Sequence, residues 1–188
     1  PNYIPCFLAG TKVSTPDRGH IAIEKLHKDD VVYTHDGRVV PVSWVAKRTL
    51  VTDVENSPYC IPRNYFGTHE EVWVSPDHAI ATDKGCNTWF IPRVHGANAG
   101  LKRMKPGQEI TYYNLTLPNW LTDHFVVGKK MAVESCGERF HRELGLKWPL
   151  YRVSETHKTT GLYKRSMGDY TRQKHSLSRG KGSIVEFI

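Results

Sequence analysis

The chain has 188 residues, 39% of them hydrophobic, which suits one folded domain with an appendage. No run approaches the roughly 18 apolar residues of a membrane-spanning helix, so a spanning function is not expected. The formal net charge of +7 is uneven: residues 1–136 hold 15 Lys+Arg against 14 Asp+Glu, and residues 137–188 hold 11 against 5.

Short β-like segments follow one another from the start. Thr11–Thr15 and Gly19–Leu26 alternate polar and apolar residues. Val31–Thr34 leads into Asp36-Gly37, and Val39–Val45 follows as a β-branched arm. Asp-Gly between two such runs predicts a hairpin, with Pro41 placing the second arm at an edge or a bulge. Residues 51–68 are rich in turn formers. Strand character returns at Glu71–Ser75, Ala79–Thr82 and Trp89–Ile91, and residues 93–108 read as loop. Ile110–Leu117, Phe125–Val127 and Met131–Val133 are late strands. No segment up to 136 holds a helical period, so an all-β domain is expected.

Leu26–Tyr33 and Met104–Thr111 share a pattern of an aliphatic residue, a turn and a strand, which suggests two related halves. Beyond 136 the composition changes. Arg139–Leu144 reads as a short helical turn, and Ser176–Ser183 is poor in apolar residues. Ile184–Ile188 reads as a strand that docks back on the body.

Four cysteines, Cys6, Cys60, Cys86 and Cys136, are too few and too scattered for a disulfide scaffold. No Cys-x-x-Cys pair is present, and the ten histidines show no ligand spacing, so neither a metal site nor a cofactor is expected. The basic tail, with Tyr163 and Tyr170, suits a solvated surface or a weak contact with nucleic acid or an acidic partner. No signal peptide opens the chain. The first residues look like a start inside a longer protein, so the compartment is not readable.

The chemistry centres on Cys6. A cysteine this close to the first residue is placed to attack the peptide bond directly in front of it, Pro5–Cys6. Cys6-Phe7-Leu8-Ala9-Gly10-Thr11 resembles the opening motif of the Hint (Hedgehog/intein) domains. Ser75-Pro76-Asp77-His78 is similar to their second motif, Thr-x-x-His, with serine for threonine. Phe125-Val126-Val127-Gly128 through Ala132-Val133-Glu134-Ser135-Cys136 resembles their closing pair of strands. The three stand in family order over residues 6–136, and the pattern is closest to the bacterial-type Hint domains.

That resemblance implies a horseshoe of mostly antiparallel strands with pseudo-two-fold halves. The division it suggests is residues 1–5 as an upstream segment, 6–136 as the self-processing domain and 137–188 as a basic C-terminal extension. It also implies a single-turnover reaction. Cys6, whose thiol has an unperturbed pKa of about 8.5, attacks the Pro5 carbonyl and converts the amide to a thioester. His78 is expected to protonate the departing nitrogen, and Ser75 to orient that imidazole or to bond the scissile carbonyl. Asp123 or His124 is expected to tune the step. Cys136 has three roles open to it: acyl acceptor, disulfide partner of Cys6, or none.

Two departures narrow the reaction. Intein splicing ends on His-Asn, and Glu134-Ser135 stands there instead. Serine cannot form the succinimide that asparagine cyclisation produces, so that route of self-excision is closed. Hedgehog-type sterol transfer uses an aspartate where this chain has Lys47. The expected function is thus cleavage at Pro5–Cys6, with water or a small nucleophile resolving the thioester and releasing a covalently attached upstream polypeptide, in a monomer without membrane contact. The alternative is a catalytically degenerate scaffold that binds partners through its tail.

Overall fold

The computed structural model describes residues 5–135 except 87, 98 and 121, together with the strand segments Tyr151–Arg152, Tyr163–Arg165 and Glu186–Phe187. In chain order the strands are β1 (Phe7–Leu8), β2 (Lys12–Thr15), β3 (Gly19–Ala22), β4 (Val31–Tyr33), β5 (Val39–Pro41), β6 (Trp44–Val51), β7 (Tyr59–Ile61) and β8 (Val72–Val74). They continue with β9 (Ile80–Ala81), β10 (Thr88–Phe90), β11 (Glu109–Thr116), β12 (His124–Val127), β13 (Met131–Glu134), β14 (Tyr151–Arg152), β15 (Tyr163–Arg165) and β16 (Glu186–Phe187). The helical content of the described residues is a 3-10 turn at Ile23–Lys25 and a short helix, α1 (Pro92–His95). No described helix is long and apolar enough to cross a membrane. The fold is all-β, as expected.

Every pairing among the described strands is antiparallel. One sheet has the order β16-β6-β11-β1-β8-β7, a second β14-β15-β10-β9-β13-β12-β2-β3, and β4-β5 form a separate ladder. The main core draws from both large sheets, with Phe7, Val45, Val74 and Leu115 packed with Ile80, Phe125, Val127 and Val133. Side chains alternate across a strand, so the residues beside these core positions point to the other face of the first sheet. There Cys6, Ala46, Leu50 and Tyr112 form a smaller buried cluster. β11 is therefore covered on both faces from Tyr112 to Thr116.

The hairpin at Asp36-Gly37 forms, with Gly37 at φ +83° and Val32 opposite Val40. Its second arm is shorter than expected. It stops at Pro41, which has no N–H to extend a ladder. The chain then bends: the Val42 amide donates to the Asp30 carbonyl at 2.7 Å and the Ser43 amide to the Thr116 carbonyl at 2.8 Å. Trp44 opens β6, which runs along β11 in the first sheet from Trp44↔Thr116 to Val51↔Glu109. β7 lies within the turn-rich stretch 51–68, and α1 overlaps the start of the expected loop 93–108. The helical turn expected at 139–144 and the polar stretch 176–183 lie outside the described residues. Of the docking strand expected at 184–188, Glu186 and Phe187 pair with Lys47 and Ala46 of β6.

Candidate active site

Cys6 immediately precedes β1, the strand between β11 and β8. Phe7 lies opposite Tyr113 on one side and Val74 on the other. One step outward, Asn114, Cys6 and Ser75 share a single row across the sheet, and Ala46 and Phe187 continue it toward the edge. The register alone sets Cys6 between these two polar side chains. Cys6 and Asn114 are almost wholly buried, as is Ser75.

Both sides of the Pro5–Cys6 bond are held. The Asn114 side-chain amide donates from Nδ2 to the Pro5 carbonyl oxygen at 2.6 Å. The Asn114 Oδ1 in turn accepts from the Leu115 amide at 2.7 Å, which fixes the rotamer and identifies the nitrogen that faces Pro5. On the other side, the Cys6 amide donates to Ser75 Oγ at 2.8 Å, and the Ser75 amide donates to the Cys6 carbonyl at 2.8 Å.

His78 closes the turn that Ser75 opens, with its amide donating to the Ser75 carbonyl at 3.1 Å. Its ring packs against Phe7, tilted by 46° with centroids 4.1 Å apart, and is fully buried. Nδ1 lies 3.1 Å from the Cys6 carbonyl oxygen and Nε2 3.2 Å from the Glu134 carbonyl oxygen. Burial pushes its pKa down to about 4, against the pull of those two carbonyls, so the ring is neutral near pH 7. The expected contact between His78 and the scissile nitrogen is thus taken by Ser75, and the expected contact between Ser75 and the scissile carbonyl by Asn114.

Tyr112 packs beside Cys6 and donates its hydroxyl to the Asn56 carbonyl at 2.6 Å. Burial, then the neighbouring Cys6 sulfur, pushes the phenol upward, so it stays protonated.

Asp123 and His124 belong to a second cluster. Arg38 donates from Nη2 to Asp123 Oδ1 at 2.6 Å. The His124 ring sits 5.0 Å from that of His35 and 4.8 Å, edge to face, from that of Trp89. His124 pairs with Glu134 across β12 and β13. The Glu134 carboxylate accepts from the Ala79 amide at 2.9 Å, and Ser135 Oγ faces the carbonyls of Trp120 and Asp123 at 2.9 and 3.0 Å. Cys136 lies outside the described residues. Among the described residues no group of three or more His, Cys, Asp or Glu is arranged to hold a metal ion.

Asn114 is the residue that sequence reasoning missed. Its signal is a side chain with poor strand preference inside the apolar run Tyr112-Tyr113-Asn114-Leu115. A buried amide there must have a partner.

The sequence matches the family model of the Hint domain over residues 5–138. The chain belongs to the Hint domain family. Hint domains are self-processing, and this chain has their all-β fold. Among solved structures the Hint chain is similar to the bacterial intein-like domain from Clostridium thermocellum, at 16% identity over 69% of this chain and 97% of that one, TM-score 0.47. It is also similar to a DnaB intein from Synechocystis sp. PCC 6803, at 13% identity over 70% of this chain and 99% of that one, TM-score 0.43. No curated protein sequence matches it.

Proposed function

We propose that this Hint domain cleaves its own Pro5–Cys6 bond through a thioester, without splicing. The observation that carries the reading is the grip on that one bond: Asn114 Nδ2 on the Pro5 oxygen at 2.6 Å and Ser75 Oγ on the Cys6 nitrogen at 2.8 Å. In the proposed step the Cys6 sulfur bonds to the Pro5 carbonyl carbon. Charge developing on the carbonyl oxygen is met by the Asn114 amide, already in place and shielded from water. The carbon–nitrogen bond then breaks, and the proton lost by the thiol reaches the Cys6 nitrogen through the Ser75 hydroxyl. In its Nδ1–H tautomer the neutral His78 ring holds the Cys6 carbonyl and keeps the new amine beside Ser75. Water or a small nucleophile hydrolyses or exchanges the thioester. Glu134-Ser135 in place of His-Asn leaves the reaction at cleavage.

The test is a reporter fused ahead of residue 1, followed by intact mass at neutral pH with dithiothreitol or hydroxylamine. Release of the reporter carrying residues 1–5, abolished by Cys6→Ala, is expected. A reporter that stays attached, or leaves equally from the Cys6→Ala chain, ends the proposal.

A further inference from the structure

Asp77, between Ser75 and His78 in sequence, is gripped from outside the turn. Arg93 on α1 donates from Nε to Asp77 Oδ1 at 2.8 Å and from Nη2 to Oδ2 at 3.0 Å, and its amide donates to the Pro76 carbonyl at 2.7 Å. The same guanidinium reaches the loop at residues 53–57. Nη2 donates to the Glu55 carbonyl at 2.7 Å and Nη1 to the Glu55 carboxylate at 3.2 Å. The next carbonyl, that of Asn56, accepts the Tyr112 hydroxyl, and Tyr112 packs beside Cys6. The contacts close into a ring. From the Cys6 amide they pass through Ser75, Asp77, Arg93, Glu55, Asn56 and Tyr112, and return to the Cys6 side chain.

We propose that Arg93 is a positioning residue for Cys6, tying the turn that holds the Cys6 amide to the loop that holds the Cys6 side chain through Tyr112.

The loop does not need Arg93 to keep its own shape. Asp53 Oδ1 accepts from the Glu55 and Asn56 amides at 2.8 Å each, and Arg103 binds the Val54 and Ser57 carbonyls at 2.6 and 3.2 Å. What Arg93 adds is the link between loop and turn. A planar guanidinium makes that link because its fork grips a carboxylate with two bonds while a further N–H serves a carbonyl; a lysine ammonium offers one charged point on a flexible stem. The link matters because a misplacement of about 1 Å between reacting groups can cost roughly a hundredfold in rate.

The inference rests on the cleavage reading for its kinetic readout only. Two measurements on the full chain, with the reporter attached, separate them. One is the rate of iodoacetamide alkylation at Cys6, located by peptide mass, with Cys60 and Cys86 as internal references. The other is thiol-induced release of the reporter. Arg93→Ala, Arg93→Lys and Asp77→Asn should each raise alkylation of Cys6 about tenfold over the reference cysteines, as a local opening does. Each should slow release by roughly a hundredfold. Arg93→Ala combined with Tyr112→Phe should be no slower than the worse single variant, since both act in one ring. If the Cys6 alkylation ratio stays at the wild-type value, or all three cysteines speed up together, the positioning role is overturned. Release at the wild-type rate from the Arg93 variants also overturns it. If the wild-type chain releases nothing while the alkylation ratio shifts as expected, the cleavage reading falls and the positioning role stands.

Discussion

The decisive contact at the residue scale is a single amide hydrogen bond, from Asn114 to Pro5. Removing one preorganised donor to a developing oxyanion typically costs about 10²–10³ in rate. Asn114→Ala should therefore slow reporter release by about that factor while leaving Cys6 in place, checked by single-turnover kinetics in excess thiol. Ser75→Ala should also slow release, and Ser75→Thr should recover part of it, because threonine restores the hydroxyl on the Cys6 nitrogen. His78 makes a separate, thermodynamic prediction. Its folded pKa of about 4 lies below the ordinary value of 6.5, so under acid the unfolded chain binds a proton that the folded chain refuses. The stability from this site is full above pH 6.5, falls as the pH drops from about 6.5 to 4, and then levels off. At about 1.4 kcal/mol per pKa unit the fall is roughly 3 kcal/mol. Urea midpoints measured across that range should show it, and His78→Gln should flatten the slope.

At the scale of elements, the β12–β13 hairpin sits inside the second sheet between β9 and β2, and its turn is tight. Gly128 has φ +56°, and a Cβ there would lie 2.0 Å from Thr68 Oγ1. Gly128→Ala combines a left-handed backbone with overpacking, so a loss of roughly 2–4 kcal/mol is expected in a chemical denaturation curve. Legibility in the sequence differed sharply between elements. The hairpin at Asp36-Gly37 and the late strands were readable because alternation and turn chemistry are local. β6 was not, because Lys47 and Arg48 interrupt its apolar pattern and only pairing with β11 makes it a strand. β7 was hidden among turn formers for the same reason. In the site, Cys6, Ser75 and His78 could be named because their motifs resemble those of the Hint family. Their contacts could not, since the exchange of partners between Ser75, His78 and Asn114 follows from a register spanning three strands. Arg93 gave no sequence signal, because its partners Asp77 and Glu55 meet only in the fold.

For the whole molecule, the row that carries Asn114, Cys6 and Ser75 runs on through Ala46 to Phe187 of β16, which completes the sheet. A chain shortened by residues 184–188 bares that edge. Amide exchange should quicken in β6 around Ala46 and Lys47 and stay unchanged in β9, which lies in the other sheet. The largest consequence belongs to the His78 ring, set between the carbonyls of Cys6 and Glu134. A neutral imidazole has one N–H to give. With hydrogen on Nδ1 the ring holds the start of the domain, and with hydrogen on Nε2 it holds the end; whichever carbonyl goes without faces a lone pair. One neutral ring thus touches the carbonyls of Cys6 and Glu134 and can donate to only one of them at a time. A change at Ser135, next to the Glu134 carbonyl, should shift the His78 tautomer, and the ring ¹⁵N shifts of His78 would report it without any bond being cut.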